Sequence, residues 1–393
     1  MKQLDLESAG TFNSDDVLNE IVELLGRLND LCADEGSRNV AIATKNGGVQ
    51  LVCSILLKLP GGCNQGVISS FTTLAKLLHD LQSTEIFRES GGAKAVVDIL
   101  NDKIQDLSIL DSGFSVIAAA ATGNEVIKDL FMDMKIDEFI VQCLREHPSG
   151  GTPLYDAMRV LLTSDDNRVI ASQVFGYARR FAKIGVVEAL VGSLSQGIRS
   201  PSMLPACNAL KLVAVNEEIC RAVADNNGLD VILSCIDDSG QQGNQTLAKT
   251  CCSLLCKLAG SDANKCAIVE KRGMDRLIRL SMQFSNDPSV LQEIMSIFTV
   301  LCLRSPEKAA RAIEAGAGDL AIQSMERFLQ SEQLQRNACF MIRNLVARNP
   351  ENRVLLLANG IEKLVRKAKS THKSCKAAAT DALRDLGLVD YNS

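Results

Sequence analysis

Apolar residues recur along the chain at the spacing of a helix. Before Leu345 they stand at offsets of 3, 4, 7 and 11, as Ile342, Met341, Ala338 and Leu334. These offsets place the side chains on one face of an α-helix. The pattern therefore predicts a helix that ends near Leu345 and buries a single apolar stripe.

The same stripe occurs nine times, with looser matches in the copies that end at Leu77, Ala120, Leu161 and Val213. We refer to the last residue of each copy as its anchor, and the anchors are Leu28, Leu77, Ala120, Leu161, Val213, Leu258, Leu301, Leu345 and Leu386. Successive anchors are 49, 43, 41, 52, 45, 43, 44 and 41 residues apart. A period in this range indicates a repeat protein, in which stacked units share a continuous core.

A turn followed by a new apolar run lies between most pairs of anchors. The copies are NGGVQLV (46–52), GGAKAVV (91–97), IGVVEALV (184–191), NGLDVI (227–232), RGMDRLI (272–278), AGAGDLA (315–321) and NGIEKLV (359–365). We expect glycine to end a helix here because it adopts the left-handed conformation without steric cost. Lys135 takes the place of this glycine in one repeat.

Ser305-Pro306 and Asn349-Pro350 predict capped helix starts, because a capping side chain precedes a proline at the first helical position. Each repeat should therefore hold a short helix, a corner, a second helix and a longer third helix. Nothing in the sequence alternates with the period of a strand.

This layout resembles the armadillo repeat. HEAT repeats have a similar period but lack a regular glycine corner. The stretches NRVIASQVFGYARRFAKIG and QLQRNACFMIRNLVARNPENR are also similar to the armadillo family. The resemblance implies an all-α, right-handed superhelix of about eight to nine armadillo repeats. In the family, the third helices line a concave groove that holds extended partner segments.

We predict a single armadillo solenoid over residues 16–388, an irregular N-terminal segment at 1–15 and a C-terminal tail at 389–393. Residues 16–31 match a third helix whose two preceding helices are missing. We therefore expect a shortened form of a longer protein, because an uncovered solenoid end exposes apolar surface. The alternative is that residues 1–15 cap this end irregularly.

The resemblance also draws attention to the residue before each anchor. In the nuclear import adaptors of the family this residue is usually an asparagine, which binds the main chain of a basic peptide beside tryptophans. The nine positions here hold Arg27, Lys76, Ala119, Val160, Leu212, Lys257, Val300, Asn344 and Asp385. A single asparagine, in a chain without tryptophan, argues against an import adaptor.

Four of these residues are the candidate groove residues: Arg27, Lys76, Lys257 and Asn344. They resemble the groove of junctional and signalling armadillo proteins, which bind acidic extended segments. We therefore expect a protein or peptide partner that is acidic and extended. The commoner explanation is that a long cationic side chain lies on a solvated helix face.

The fourth and fifth anchors lie 52 residues apart, and the extra residues fall within 163–185. An insertion in a repeat protein maps to one face, often the binding face. The candidate hot-spot residues, all of types enriched at protein interfaces, are Tyr177, Arg179 and Arg180. The alternative is that Phe175 and Phe181 pack an elongated first helix while the arginines stay in water.

A basic run near the C-terminus consists of Lys363, Arg366, Lys367, Lys369, Lys373 and Lys376. Such a run can bind phosphate, an acidic partner or a nuclear import receptor. It supports an alternative function, in which the chain binds the phosphates of nucleic acid or a phosphoinositide. More often, such a run is the solvated face that covers the end of a solenoid.

Overall charge and aromatic content argue against nucleic acid as the general partner. The chain has 42 basic and 47 acidic residues, a net charge of −5, and 4% aromatic residues. It therefore lacks both a basic footprint and the exposed rings on which single-stranded bases stack. No apolar run approaches the 18 residues of a membrane span, so we expect no membrane insertion. The first residues, MKQLDLESAG, lack the layout of a signal peptide. We therefore expect a cytoplasmic or nuclear protein.

Candidate catalytic and metal-binding residues are few. His79, His147 and His372 are the only histidines, and none is paired with another ligand at metal or triad spacing. The 14 cysteines include no C-x-x-C pair, and the cluster Cys251, Cys252 and Cys256 matches no zinc motif, so we expect reduced core thiols. The sequence predicts a protein without enzymatic activity, cofactor or metal.

Overall fold

The computed structural model describes residues 15–33, 38–60, 62–165 and 171–391. Within these ranges every regular element is a helix, so the predicted all-α class is confirmed. No single described helix is long and apolar enough to cross a membrane. The two helices Arg38–Lys45 and Gly48–Lys58, which are bent relative to each other, together reach the length and apolar composition of a membrane span.

The α-helices are numbered in chain order. They are α1 (Asp15–Leu31), α2 (Arg38–Lys45), α3 (Gly48–Lys58), α4 (Asn64–Leu77), α5 (Leu81–Glu89), α6 (Gly92–Asp102), α7 (Leu107–Ala121), α8 (Glu125–Asp133), α9 (Ile136–Glu146), α10 (Thr152–Leu161), α11 (Ala171–Lys183), α12 (Val186–Leu194), α13 (Met203–Val213), α14 (Glu217–Asp225), α15 (Gly228–Gln241), α16 (Gln245–Leu258), α17 (Asp262–Glu270), α18 (Gly273–Gln283), α19 (Pro288–Cys302), α20 (Pro306–Ala315), α21 (Ala317–Arg327), α22 (Glu332–Val346), α23 (Pro350–Ala358), α24 (Ile361–Thr371) and α25 (Lys376–Asp385). A 3-10 turn, Lys373–Cys375, precedes α25.

Eight of the nine third helices, α4, α7 and so on to α25, end at or beside a predicted anchor, and α1 ends three residues after Leu28. All nine anchors are buried, and the most accessible, Leu28, is only 8% exposed. Third helices of successive repeats pack against each other, as α4 does with α7 and α19 with α22. The predicted repeat, with its short first helix, corner, second helix and third helix, is confirmed.

Contacts divide the chain into two compact units. The first lies within Met1–Ser193 and Ser200–Val213, the second within Leu194–Arg199 and Ala214–Ser393. The core of the first unit contains the fully buried rings Phe71, Phe87, Phe114, Phe131 and Phe181, and that of the second contains Phe298. A single domain over residues 16–388 stays a prediction. Residues 1–14 and 392–393 lie outside the described ranges.

The corner prediction is only partly correct. Gly47, Gly91, Gly185, Gly316 and Gly360 have the expected left-handed backbone, but so do Lys135, Asn227 and Arg272. In RGMDRLI the left-handed residue is Arg272, with φ 58°, and Gly273 begins the next helix. A Cβ on Gly273 would stand 2.5 Å from Ile268 Cγ2. Glycine is therefore needed at position 273 because of close packing against Ile268, and not because of its backbone conformation.

The predicted helix starts are confirmed. The Ser305 hydroxyl accepts a hydrogen bond from the Lys308 amide at 3.4 Å. The Asn349 side chain accepts one from the Asn352 amide at 3.1 Å. A proline follows each capping residue, where its missing amide proton costs no hydrogen bond.

The two residues of this corner should respond in opposite ways to substitution. Arg272→Gly should raise the thermal midpoint by relieving left-handed strain of about 1 kcal/mol. Gly273→Ala should lower stability by about 2 kcal/mol, because the new methyl group overlaps Ile268. Circular dichroism melts of the intact chain measure both. Gly91→Ala, at φ 71° with no atom within 4 Å of the added carbon, is the control for strain without overlap. Unchanged midpoints in both corner variants would contradict this account.

Candidate partner-binding site

The accessible stripe of α22 lies in the middle of the third-helix surface of the second unit. Its residues are Gln333, Arg336, Asn337, Phe340, Arg343 and Asn344, spaced three or four apart. Helices α19 and α25 flank α22 on either side. We refer to the accessible stripes of α16, α19, α22 and α25 together as the second-unit groove face.

Asn344, the candidate groove asparagine, contacts the preceding repeat. Its side-chain amide donates a hydrogen bond of 2.7 Å to the Thr299 carbonyl. Thr299 lies in the last turn of α19, where backbone carbonyls lack partners within the helix. Asn344 therefore caps a neighbouring helix and holds two repeats in register.

The three cationic candidates have different environments. Lys76 donates to the Asn29 carbonyl in the last turn of α1 at 3.2 Å, and so also joins two repeats. Arg27 pairs with Glu23 on the same helix, with both side chains about two-thirds exposed. Lys257 is exposed, and within the described part of the chain its ammonium group makes no hydrogen bond or ion pair. Arg27 and Lys76 belong to the first unit, and Lys257 and Asn344 to the second.

The sequence analysis missed several residues of the groove face, among them Arg336, Asn337 and Phe340. Asn337 donates to the Gln292 carbonyl at 3.1 Å and to the Ser296 hydroxyl at 3.0 Å. The Arg336 guanidinium lies over the Phe340 ring, 5.5 Å from its centroid. The i, i+4 spacing of Arg336 and Phe340 on an exposed helix face could have indicated this cation–π pair.

The enlarged repeat is fastened to the repeat before it. Arg180 donates from Nε and Nη2 to the two carboxylate oxygens of Asp137, each at 2.9 Å, and from Nη2 to the Met132 carbonyl at 2.8 Å. Asp137 is only 1% exposed, so this fork compensates a buried charge. The Tyr177 hydroxyl donates to Asp129.

Two interpretations of residues 163–185 were given: an interface hot spot, or an elongated first helix packed by phenylalanines with its arginines in water. The alternative is correct for Phe181, which is fully buried, and for Arg179, which is exposed. It is wrong for Phe175, which is 43% exposed, and for Arg180, which bonds to Asp137. Helix α11 is 13 residues long, whereas first helices elsewhere have 8 to 10. Residues 166–170 lie outside the described ranges, and the hot spot itself stays a prediction.

A second clasp joins the same two repeats through a buried lysine. The Lys128 ammonium, fully buried, donates to Asp165 at 2.7 Å, to Glu125 at 3.0 Å and to the Thr163 carbonyl at 2.7 Å. Burial alone would raise the pKa of Asp165. Hydrogen bonds from Lys128 and the Gly123 amide outweigh burial and hold the pKa of this carboxyl below its ordinary value.

The C-terminal basic run divides into two groups. Arg366 pairs with Glu362 and Asp390, and Lys369 donates to the Tyr391 carbonyl at 2.6 Å. The remaining four, all exposed, are Lys363, Lys367, Lys373 and Lys376. Two of the six cations, Arg366 and Lys369, therefore contact residues 390–391.

The cysteines and two of the histidines support the core and the repeat register. Cys251 and Cys252 are fully buried, as expected, and Cys256 is partly accessible. Burial raises the pKa of the Cys252 thiol well above its ordinary value. His147 and His372 each contact a backbone carbonyl 43 residues earlier, at 3.0 and 2.8 Å. Among the described residues, no cluster of three His, Cys, Asp or Glu side chains suits a metal.

Comparison with known proteins identifies the fold. No protein-family model matches the chain. The chain aligns over 98% of its length with an engineered protein, at a TM-score of 0.63 and 18% identity. It aligns over 98% of its length, and 72% of the other chain, with the structure described as "A conserved phosphorylation switch controls the interaction between cadherin and beta-catenin in vitro and in vivo", at a TM-score of 0.70 and 16% identity. The chain has the armadillo-repeat fold.

Armadillo-repeat proteins are also found among its sequence relatives. The chain is 27% identical over 305 residues to Armadillo repeat-containing protein 6 of Homo sapiens, and likewise to that of Pongo abelii. Each match covers 74% of this chain and 59% of the relative, so the chain spans less than two thirds of these proteins.

Removing the Arg180 fork should destabilise the armadillo stack. Arg180→Ala should lower stability by about 3 kcal/mol, because it leaves the buried Asp137 carboxylate without its partner. Thermal denaturation of the intact chain measures the loss. Arg179→Ala, the exposed neighbour, should change it by less than about 0.5 kcal/mol. Adding Asp137→Asn should restore part of the stability, and no recovery would argue against an uncompensated charge as the cause.

The Lys128–Asp165 clasp should make stability depend on pH. Because the folded pKa of Asp165 is lowered, its contribution is complete above the ordinary carboxyl pKa of about 4 and is lost as pH falls through the folded value. Asp165→Asn should therefore lower the thermal midpoint at pH 7, and the difference from wild type should shrink below about pH 4. Asp98→Asn, which removes an exposed pair with Lys94, should have little effect at either pH. A constant difference across the titration would contradict the assignment.

Proposed function

We propose that the chain is a non-enzymatic scaffold that holds an acidic, extended partner segment against the second-unit groove face. The observation that carries this proposal is a set of cations that form no ion pair within the described residues. Lys249 and Lys257 on α16 and Arg336 on α22 form no ion pair within the described residues. By contrast, Arg343 pairs with Asp381 at 3.2 Å and with Asp385 at 3.5 Å.

The geometry of these cations suits an extended ligand. Lys249 and Lys257 are eight residues apart, about 12 Å along α16. Alternate side chains of an extended segment are about 7 Å apart, so several acidic residues can meet the cations of successive third helices. Arg336, stacked on Phe340, combines a charge with an aromatic surface, a pairing common at interface hot spots.

A cytoplasmic or nuclear location is part of the proposal. All 14 cysteines are free thiols, which suits a reducing compartment. The phosphate-binding alternative has weaker support. The four exposed lysines of the C-terminal run favour it, but Arg366 and Lys369 contact residues 390–391. The similar proteins give no support to that alternative.

Charge reversal on the groove face should abolish capture of the partner. Affinity capture with the intact chain, compared with Lys257→Glu/Arg336→Glu, should recover about tenfold less of any acidic-segment partner. Lys76 is not a suitable test residue because its bond to the Asn29 carbonyl would also be lost.

The matched control is Arg221→Glu/Arg311→Glu, which reverses two exposed arginines on first helices α14 and α20. Partner recovery should stay within about twofold of wild type in this control. An equal loss in both doubles would indicate a bulk charge effect. A partner indifferent to the groove double would show that the groove face is not the binding site.

A further inference from the structure

A cleft of about 800 Å³ lies between the second helices α18 and α21, and no residue of the accessible groove-face stripes lines it. Its apolar part includes Ile278, Met282, Leu291 and Leu320. Met282 is 69% exposed, whereas Ile278, Leu291 and Leu320 are buried. The volume falls within the usual range of ligand pockets, and an exposed methionine is typical of adaptable binding surfaces.

The preceding pair of second helices has an ionic clasp at the same place. Asp237 of α15 pairs with Arg276 of α18 at 2.8 Å and with Arg279 at 3.7 Å. These residues hold position 10 of α15 and positions 4 and 7 of α18.

One repeat later, the same positions hold apolar or uncharged residues. Position 10 of α18 is Met282, and positions 4 and 7 of α21 are Leu320 and Gln323. No ion pair joins α18 to α21 in the described residues, and these three side chains line the cleft. The repeat has therefore exchanged an internal clasp for an open, partly apolar surface.

The rim of the cleft is acidic. Asp319 and Glu326 both line it, and neither forms an ion pair within the described chain. They are seven residues apart, about 10.5 Å along the same side of α21. Arg327, the cation that lines the cleft, donates to the Ser285 carbonyl at 3.0 Å. The carboxylates therefore remain available to an incoming cation.

We propose that this cleft binds an amphipathic helical segment of a partner protein. The segment inserts an apolar side chain against Met282 and Leu320 and presents two lysines or arginines to Asp319 and Glu326. A helix suits the site because basic residues seven apart on a helix have the same 10.5 Å rise as the two carboxylates. Acidic segments, which the groove face favours, are repelled here, so the two surfaces select different ligands.

The test uses a fluorescein-labelled 14-residue helical peptide with lysines at positions 4 and 11 and leucines at positions 7 and 8. Fluorescence anisotropy titrations with the intact chain measure its affinity. A counterpart with glutamate in place of both lysines should bind about tenfold more weakly, because it meets the acidic rim with like charge. Equal affinity of the two peptides would overturn the proposal.

Protein variants locate the binding. Asp319→Lys should weaken the lysine peptide about tenfold. Asp275→Lys changes the same helix position one repeat earlier, where the side chain does not line the cleft, and should change affinity less than about twofold. If both variants lost affinity for the lysine peptide equally, the loss would come from the overall charge of the protein, and the proposal would be wrong.

Met282→Ser should also weaken the peptide, by about fivefold, while Met282→Leu keeps the affinity. Lys257→Glu/Arg336→Glu should leave peptide binding unchanged, so that failure of the groove proposal and failure of this one are distinguishable. Circular dichroism confirms folding of each variant. If sedimentation showed that Met282→Ser dissolves a self-association of the chain, the occupant would be a second copy and the proposal would be wrong.

Discussion

The apolar stripe of each third helix cannot be buried within its own repeat. Within each unit, neighbouring third helices cover it, and anchors such as Leu77 and Leu301 are fully excluded from solvent. Burying one leucine side chain contributes about 1.5 to 3 kcal/mol. Stacking is therefore the condition for stability, and corners, caps and polar contacts must all keep successive repeats aligned.

Polar side chains maintain this alignment by forming hydrogen bonds with backbone carbonyls of the preceding repeat. Asn344 donates to a carbonyl 45 residues earlier and Lys76 to one 47 earlier. His147 and His372 contact carbonyls 43 residues earlier. Carbonyls at helix ends require donors, and the next repeat supplies them. Several of the most conspicuous polar residues in the sequence thus serve the fold.

The residues that we propose for partner binding are those without such contacts to a neighbouring repeat. On the second-unit groove face they are cationic, as with Lys257 and Arg336. In the cleft between α18 and α21 they are apolar and acidic, as with Met282 and Asp319. Opposite charge on two surfaces of one unit fits a scaffold that keeps two kinds of partner segment apart.

The sequence by itself determined the repeat, the helix order, the capped starts and the buried anchors, because apolar spacing and capping chemistry are local properties of the chain. It also identified Lys135 as a corner without glycine, although Asn227 and Arg272 proved to be left-handed as well. It could not show that Arg272 adopts the left-handed conformation while Gly273 stands where a Cβ would overlap Ile268. Only the tertiary structure decided which polar residues bond to a neighbouring repeat. In the sequence, Asn344 and Arg180 are candidates for binding a partner. In the structure, Asn344 bonds to Thr299, 45 residues away, and Arg180 bonds to Asp137, 43 residues away. These pairs become neighbours only when the repeats stack.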